Sequence, residues 1–208
     1  MSDHANHDHD PETPEAHASR RAILQAAIGA GVGATLLSTL YIGAGLIPKK
    51  EVTPETEPLA KGDILVYGDG PKKGQPVNPA NLGLGEQQTV AYPMNPKTRV
   101  VKDKEANNTV LLLKLDPASL DAETAKSAAE GVVAYSAVCK HLGCIVSNWD
   151  KAAQILVCPC HQGRYDPKQS AKVVGGPPPK PVPQLPIKIE GGQILAAAGF
   201  LAKPGKEV

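Results

Sequence analysis

The chain has 208 residues, with 22 Lys and Arg against 21 Asp and Glu and a formal net charge of +1. That length holds one ordinary domain plus an appendage, and the near-neutral charge gives no basis for a nucleic-acid partner. At 41% hydrophobic the chain can build a core, while 20 Gly, 20 Pro and only 3% aromatics favour turn-rich β structure over a helical bundle.

Residues 1–21 begin with Asp3, Asp8, Asp10, Glu12 and Glu15, interleaved with His4, His7, His9 and His17. Nothing here can bury a core, so the segment reads as a disordered tail with solvated rather than metal-binding histidines. It ends in Ser19-Arg20-Arg21, and residues 22–47 then carry no charge. As a helix that run is about 39 Å long, enough to cross a ~30 Å hydrocarbon core with tilt. It has no polar face and Pro48-Lys49-Lys50 closes it, so a transmembrane helix is expected. Lys49 and Lys50 cancel the two arginines on the positive-inside count. The arginine pair, with Ser before it and Ile23-Leu24 after it, resembles a twin-arginine export signal. That implies a cytoplasmic N-terminus in the inner cell membrane and a C-terminal part on the outer, periplasmic face. No Ala-x-Ala pattern follows, so the anchor is expected to stay uncleaved. Gly29, Gly31, Gly33 and Ala34 match a loose dinucleotide fingerprint, but no strand precedes them. Gly29 and Gly33 also form a small-xxx-small pair suited to a second membrane helix.

Residues 48–60, with Pro48, Pro54 and Pro58, read as a solvated, fairly stiff linker. Residues 61–208 form the remaining domain. Strands are expected at 63–67, 89–92, 99–101, 110–115, 132–137, 155–157, 187–190 and 193–196, most of them bounded by Gly, Pro or Asn. Gly191-Gly192 predicts a hairpin turn between the last two. One helix is expected over 118–130.

All four cysteines fall between Cys139 and Cys160, so they describe one site rather than a disulfide scaffold. Cys139-Lys140-His141 is followed, sixteen residues on, by Cys158-Pro159-Cys160-His161. Such short spacings let each of two loops offer a Cys and a His to one metal site. Zinc accepts that ligand set in a closed tetrahedron. A 2Fe–2S centre with two Cys on one iron and two His on the other accepts it equally. Zinc would leave Cys144 and Cys160 unexplained.

The two boxes, with Leu142-Gly143 between ligands, Tyr165-Asp166 downstream, the run Gly175-Gly176-Pro177-Pro178-Pro179 and the N-terminal anchor, resemble the Rieske iron–sulfur subunit of cytochrome bc-type quinol oxidase complexes. The likeness covers the anchor and roughly 130–195 well, and is not traced over residues 61–125. It implies an all-β fold: an antiparallel Rieske-type β-sandwich with an inserted cluster-binding subdomain at about 137–182, preceded by one transmembrane helix. It implies that Cys139 and Cys158 bind the inner iron of a 2Fe–2S cluster and that His141 and His161 bind the outer one. Cys144 and Cys160 would then be the disulfide joining the loops, worth ~3 kcal/mol in the chain-entropy model. An oxidising compartment suits that bond and agrees with export.

The same resemblance implies an oxidoreductase subunit of the quinol–cytochrome c reductase type. Quinol on a cytochrome b-type subunit would give its electron to the cluster, and a c-type cytochrome would receive it. His141 and His161 would serve both as ligands and as proton-accepting groups, with His161 nearer the quinol. Neutral imidazoles in place of thiolates raise the potential toward that of quinol. Tyr165 stands where the family's tyrosine donates to a ligand sulfur. Gln162-Gly163 replaces the Gly-Ser common in the family, so one hydroxyl donor is missing. That predicts a potential below that of Ser-bearing relatives, suited to menaquinol; Lys140, where Thr is common, would push the other way. The small Rieske subunit of a molybdenum oxidase such as arsenite oxidase is the alternative reading. An oxygenase component would need a further iron domain that this length does not hold.

Overall fold

The structure, a computed structural model, describes residues 14–45 and 52–206. It falls into two units, divided at Glu51.

Among the described residues the first unit is one helix, α1 (Pro14–Gly45). It begins inside the predicted tail, with proline at its first position, where a missing N–H costs nothing. The stretch Arg21–Thr39 has a mean hydropathy of 1.5 and is long and apolar enough to cross a membrane. Within this unit its large side chains are not covered, Leu24 being 62% and Leu37 70% exposed. Three described hydroxyls are satisfied within the helix: Thr35 Oγ1 donates to Gly31 O at 3.1 Å, Ser38 Oγ to Ala34 O at 2.8 Å, and Thr39 Oγ1 to Thr35 O at 2.7 Å. Such back-bonding is what hydrocarbon demands of a polar side chain.

The second unit is all-β and antiparallel. Its strands are β1 (Ile64–Tyr67), β2 (Thr89–Met94), β3 (Val110–Lys114), β4 (Val132–Ser136), β5 (Asn148–Asp150), β6 (Ile155–Cys158), β7 (Gly163–Asp166), β8 (Lys172–Gly175), β9 (Ile187–Glu190) and β10 (Gln193–Ala196). Six form one sheet in the order β4-β3-β2-β1-β10-β9, and the other four form a second in the order β5-β6-β7-β8. The small sheet is thus inserted between β4 and β9.

The period of two along β3 and β4 explains the sandwich. Leu111, Leu113, Val133 and Tyr135 face a core that also holds Leu156 and Tyr165 of the small sheet. Their neighbours Val110, Leu112, Val132 and Ala134 face the opposite core, against Leu65, Leu185, Ile187 and Ile194. A strand covered on both faces has no polar face, which is why both runs are unbroken apolar sequence. Tyr135 has its hydroxyl satisfied by Pro167 O at 2.7 Å. At the Gly191-Gly192 turn both residues have positive φ, 56° and 73°, the backbone that a tight β9–β10 hairpin needs.

Two expected elements differ. Residues 99–101 form only an isolated bridge, Met94↔Val101, because Arg99 takes φ 61° in a turn. The helix expected over 118–130 shrinks to α2 (Ala122–Ser127), preceded by a 3-10 turn at Pro117–Ser119. Asp121 starts it as N-cap, accepting from Thr124 N–H at 2.7 Å, and extended Ala128 ends it.

Candidate metal centre

Two loops meet at one end of the small sheet. The first, 137–147, runs from β4 to β5. It is closed by the Val138↔Ile145 bridge, by Cys139 N–H to Cys144 O at 2.8 Å and by Gly143 N–H to Cys139 O at 3.0 Å. The second, 159–162, joins β6 to β7 and is closed by the Cys158↔Gly163 pair. Each loop carries one buried cysteine at its base and one histidine toward its tip. Cys139 and Cys158 are free and buried; His141 is partly exposed and His161 exposed. Cys144 and Cys160 form a disulfide that ties the loops together, with Cα atoms 6.6 Å apart.

The histidines converge. Their Nδ1 atoms lie 3.3 Å apart, with ring planes at 89°. One metal ion bonded to both at about 2.05 Å in tetrahedral geometry sets that separation at roughly 3.3 Å. The imidazoles are therefore already spaced for a shared ion. Below them, Cys139 and Cys158 touch, and burial pushes the Cys158 thiol up, with Cys139 adding to the rise and the N–H groups of Cys160 and His161 opposing it. A pair of buried thiols under a pair of solvent-facing imidazoles fits a binuclear centre with soft ligands at one iron and nitrogen ligands at the other. The sulfurs of Cys144, Cys158 and Cys160 also lie within 4.8 Å of one another. That trio is no ligand set, since two of its sulfurs are spent in the disulfide.

Tyr165, on β7, reaches under the first loop. Its hydroxyl accepts Lys140 N–H at 3.3 Å, which leaves its own hydrogen for Cys139 Sγ at 3.1 Å. Burial, then the neighbouring Cys139, hold that phenol far above its usual range, so it stays a donor. Arg164, beside it, pairs with Asp150 at 2.7 Å and locks β7 to β5.

One feature was not legible in the spacing. The Lys140 side chain is buried at 4% exposure, and its ammonium donates to Lys203 O at 2.7 Å. It lines a cleft of about 260 Å³ beside His141, together with Pro177, Pro179, Lys180 and Lys206. The proline loop, in turn, packs directly on the second loop. A Cβ on Gly163 would come within 2.6 Å of Pro178 Cγ, and one on Gly176, at φ 78°, within 2.5 Å of Gln162 O. Pro178 thus occupies the space that a larger residue at Gly163 would need. Gly176→Ala is expected to cost more than about 2 kcal/mol, because it meets backbone and a left-handed φ together. Thermal melts of variant and parent check this, and the loss should be accompanied by faster iron release.

A model of the Rieske [2Fe-2S] domain matches residues 84–186. The chain is 35% identical over 183 residues to a putative respiratory nitrate reductase Rieske subunit of Haloferax mediterranei, a match covering 88% of this chain and 77% of the relative. The chain belongs to the Rieske iron–sulfur family. It is also 30% identical over 148 residues to the Rieske iron–sulfur subunit of the cytochrome bc1 complex of Streptomyces lividans, covering 70% of this chain and 85% of that one. Among solved structures, a cyanobacterial plasma membrane Rieske protein from Synechocystis PCC 6803 matches 52% of this chain and 86% of its own at 25% identity, with a TM-score of 0.35. This Rieske protein is an iron–sulfur electron-transfer subunit, and its cofactor is a 2Fe–2S cluster.

Proposed function

We propose that this Rieske protein carries single electrons from quinol, held by a cytochrome b-type subunit, to a c-type haem. In this reading Cys139 and Cys158 hold the inner iron, and His141 and His161 hold the outer one. The observation that carries it is the imidazole pair, with Nδ1 atoms 3.3 Å apart at the solvent-facing end of two disulfide-joined loops. When bound, the cluster supplies reversible one-electron transfer at a potential raised by its neutral ligands. The chain's own residues do the rest. With Nδ1 turned inward, the Nε2 of each imidazole is left for a hydrogen bond to a quinol hydroxyl and can take its proton. His161, the more exposed ring, is the one assigned to quinol. Leu142, 55% exposed and next to His141 in the chain, offers apolar contact to the quinol-bearing subunit.

Tyr165 tunes the site. Its hydrogen bond favours the more negative, reduced form of the sulfur it touches, so Tyr165→Phe is expected to lower the midpoint potential, read by redox titration. Gly163 offers no hydroxyl to the site, which supports a potential below that of Ser-bearing relatives and menaquinol as donor.

The apolar helix α1 is consistent with a membrane anchor. We place the β unit on the outer face, with Arg20-Arg21 as the export signal. The name of the haloarchaeal relative favours a second reading, in which the electron goes toward a nitrate reductase. Purification of the native complex decides between them. Co-purifying b and c haems, with quinol-dependent reduction of the cluster, support the first. A nitrate-reducing partner without a quinol site replaces it.

A further inference from the structure

The functional site leaves one buried charge cluster unused. Lys102 and Asp63 are only 2% and 3% exposed, and they pair at 2.8 Å. Taking two charges out of water is costly, and such a pair seldom adds net stability over apolar residues. What it does here is hold chain. The Lys102 ammonium also donates to Pro58 O at 3.2 Å, and the same Asp63 oxygen accepts Ala60 N–H at 2.8 Å. Asn108, 2% exposed, completes the grip. Its oxygen accepts Leu59 N–H at 2.8 Å, and its amide donates to Glu57 O at 2.7 Å and Lys102 O at 3.0 Å. Farther out, Lys104 N–H donates to Glu55 O at 3.1 Å. Leu59 meanwhile packs on the core behind β1. Five of these hydrogen bonds engage the stretch 55–60, which the sequence marks as linker, while Lys102–Asp63 and Asn108 to Lys102 O tie the clamp's own residues together.

We propose that Asp63, Lys102 and Asn108 form a clamp that makes residues 55–60 part of the β unit, so that any pivot between anchor and β unit lies before Glu55. The pivot part of the proposal rests on the membrane-anchored reading; the clamp itself does not. The consequence is a shorter leash. Fully extended, the chain from Gly45 to Glu55 reaches about 35 Å, against about 50 Å if the chain were free up to Ala60. The clamp therefore restricts how far the cluster can travel from the membrane surface. It does so with groups that water cannot easily reach, unlike a surface salt bridge.

The test is hydrogen exchange on the full chain, cluster-loaded and in detergent, for the parent and for Asn108→Ala. Loss of Asn108 directly frees Leu59 N–H, Glu57 O and Lys102 O, so Leu59 is the one amide donor it releases outright. If the stretch docks as a unit, the Ala60 and Lys104 amides, which Asn108 does not touch, will also exchange about tenfold faster or more. Amides of the 137–147 loop and the cluster's EPR signal should stay unchanged, which separates this from misfolding. Lys102→Met gives a second route to the same release. Acceleration confined to Leu59, or a parent in which Ala60 already exchanges at open-loop rates, overturns the clamp. Exchange that supports the clamp, in a protein that does not partition into membranes, leaves the clamp standing and removes the anchor reading instead.

Discussion

Replacing Cys144 and Cys160 together with alanine is expected to lower the stability of the β unit by about 3 kcal/mol, since their bond closes a loop of 16 residues' separation. For a unit of this size that corresponds to a fall in Tm of roughly 6–12 °C. Removing both avoids leaving a lone reactive thiol. The effect reaches the metal centre because the bond is the covalent link between the two loops. Without it, the loops rely on non-covalent contacts that include Cys139–Cys158, His141–His161, the Tyr165 bridge and the proline loop. The variant should still take up the cluster during synthesis, and should lose iron faster than the parent on dilution. A melting curve and an iron-release time course check both halves. Unchanged stability and unchanged iron retention would mean that the bond is incidental.

The second large effect separates ligands from packing residues. His161 is exposed and outside the core, so His161→Ala should change the stability of the metal-free protein by no more than about 0.5 kcal/mol. The same change should abolish the iron–sulfur absorbance, because in the proposed ligand set the outer iron loses one of its two nitrogen ligands. Cys158→Ala should also abolish it, but there the buried sulfur belongs to the core between the sheets, and stability falls as well. Circular dichroism, melts and iron analysis on the two variants read this contrast. A His161→Ala protein that retains its full cluster contradicts the proposed ligand set.

The parts of this account that were legible in sequence are those with strong local chemistry. An uncharged run of helical length yields α1, and Gly191-Gly192 yields its hairpin. The Cys and His spacing yields two loops that do converge, and the family resemblance yields the pairing of Cys144 with Cys160. What was missed has physical reasons. β5, β7 and β8 read as Asn-Trp-Asp, Gly-Arg-Tyr-Asp and Lys-Val-Val-Gly, too short and too polar to show a period. They exist because β5 and β7 pair with β6, β8 pairs with β7, and the large sheet covers them, which is tertiary information. The predicted helix over 118–130 failed for a similar reason: a cap at Asp121 and an extended Ala128 bound it more tightly than composition shows. Buried lysines were the least legible of all. Lys102 looks like a solvated surface residue and Lys140 like a cation beside the cluster, and only the fold reveals the carbonyls and carboxylate that receive them.

The most direct measurement is EPR of the dithionite-reduced full chain, with iron, sulfide and zinc analysis of the same sample. Mixed Cys and His ligation predicts a 2Fe–2S signal of low average g, equal iron and acid-labile sulfide, and no zinc. A redox titration should then place its potential below that of relatives carrying serine in place of Gly163. An EPR-silent protein with one zinc and no sulfide would contradict the electron-transfer account and leave the two loops as a structural metal module.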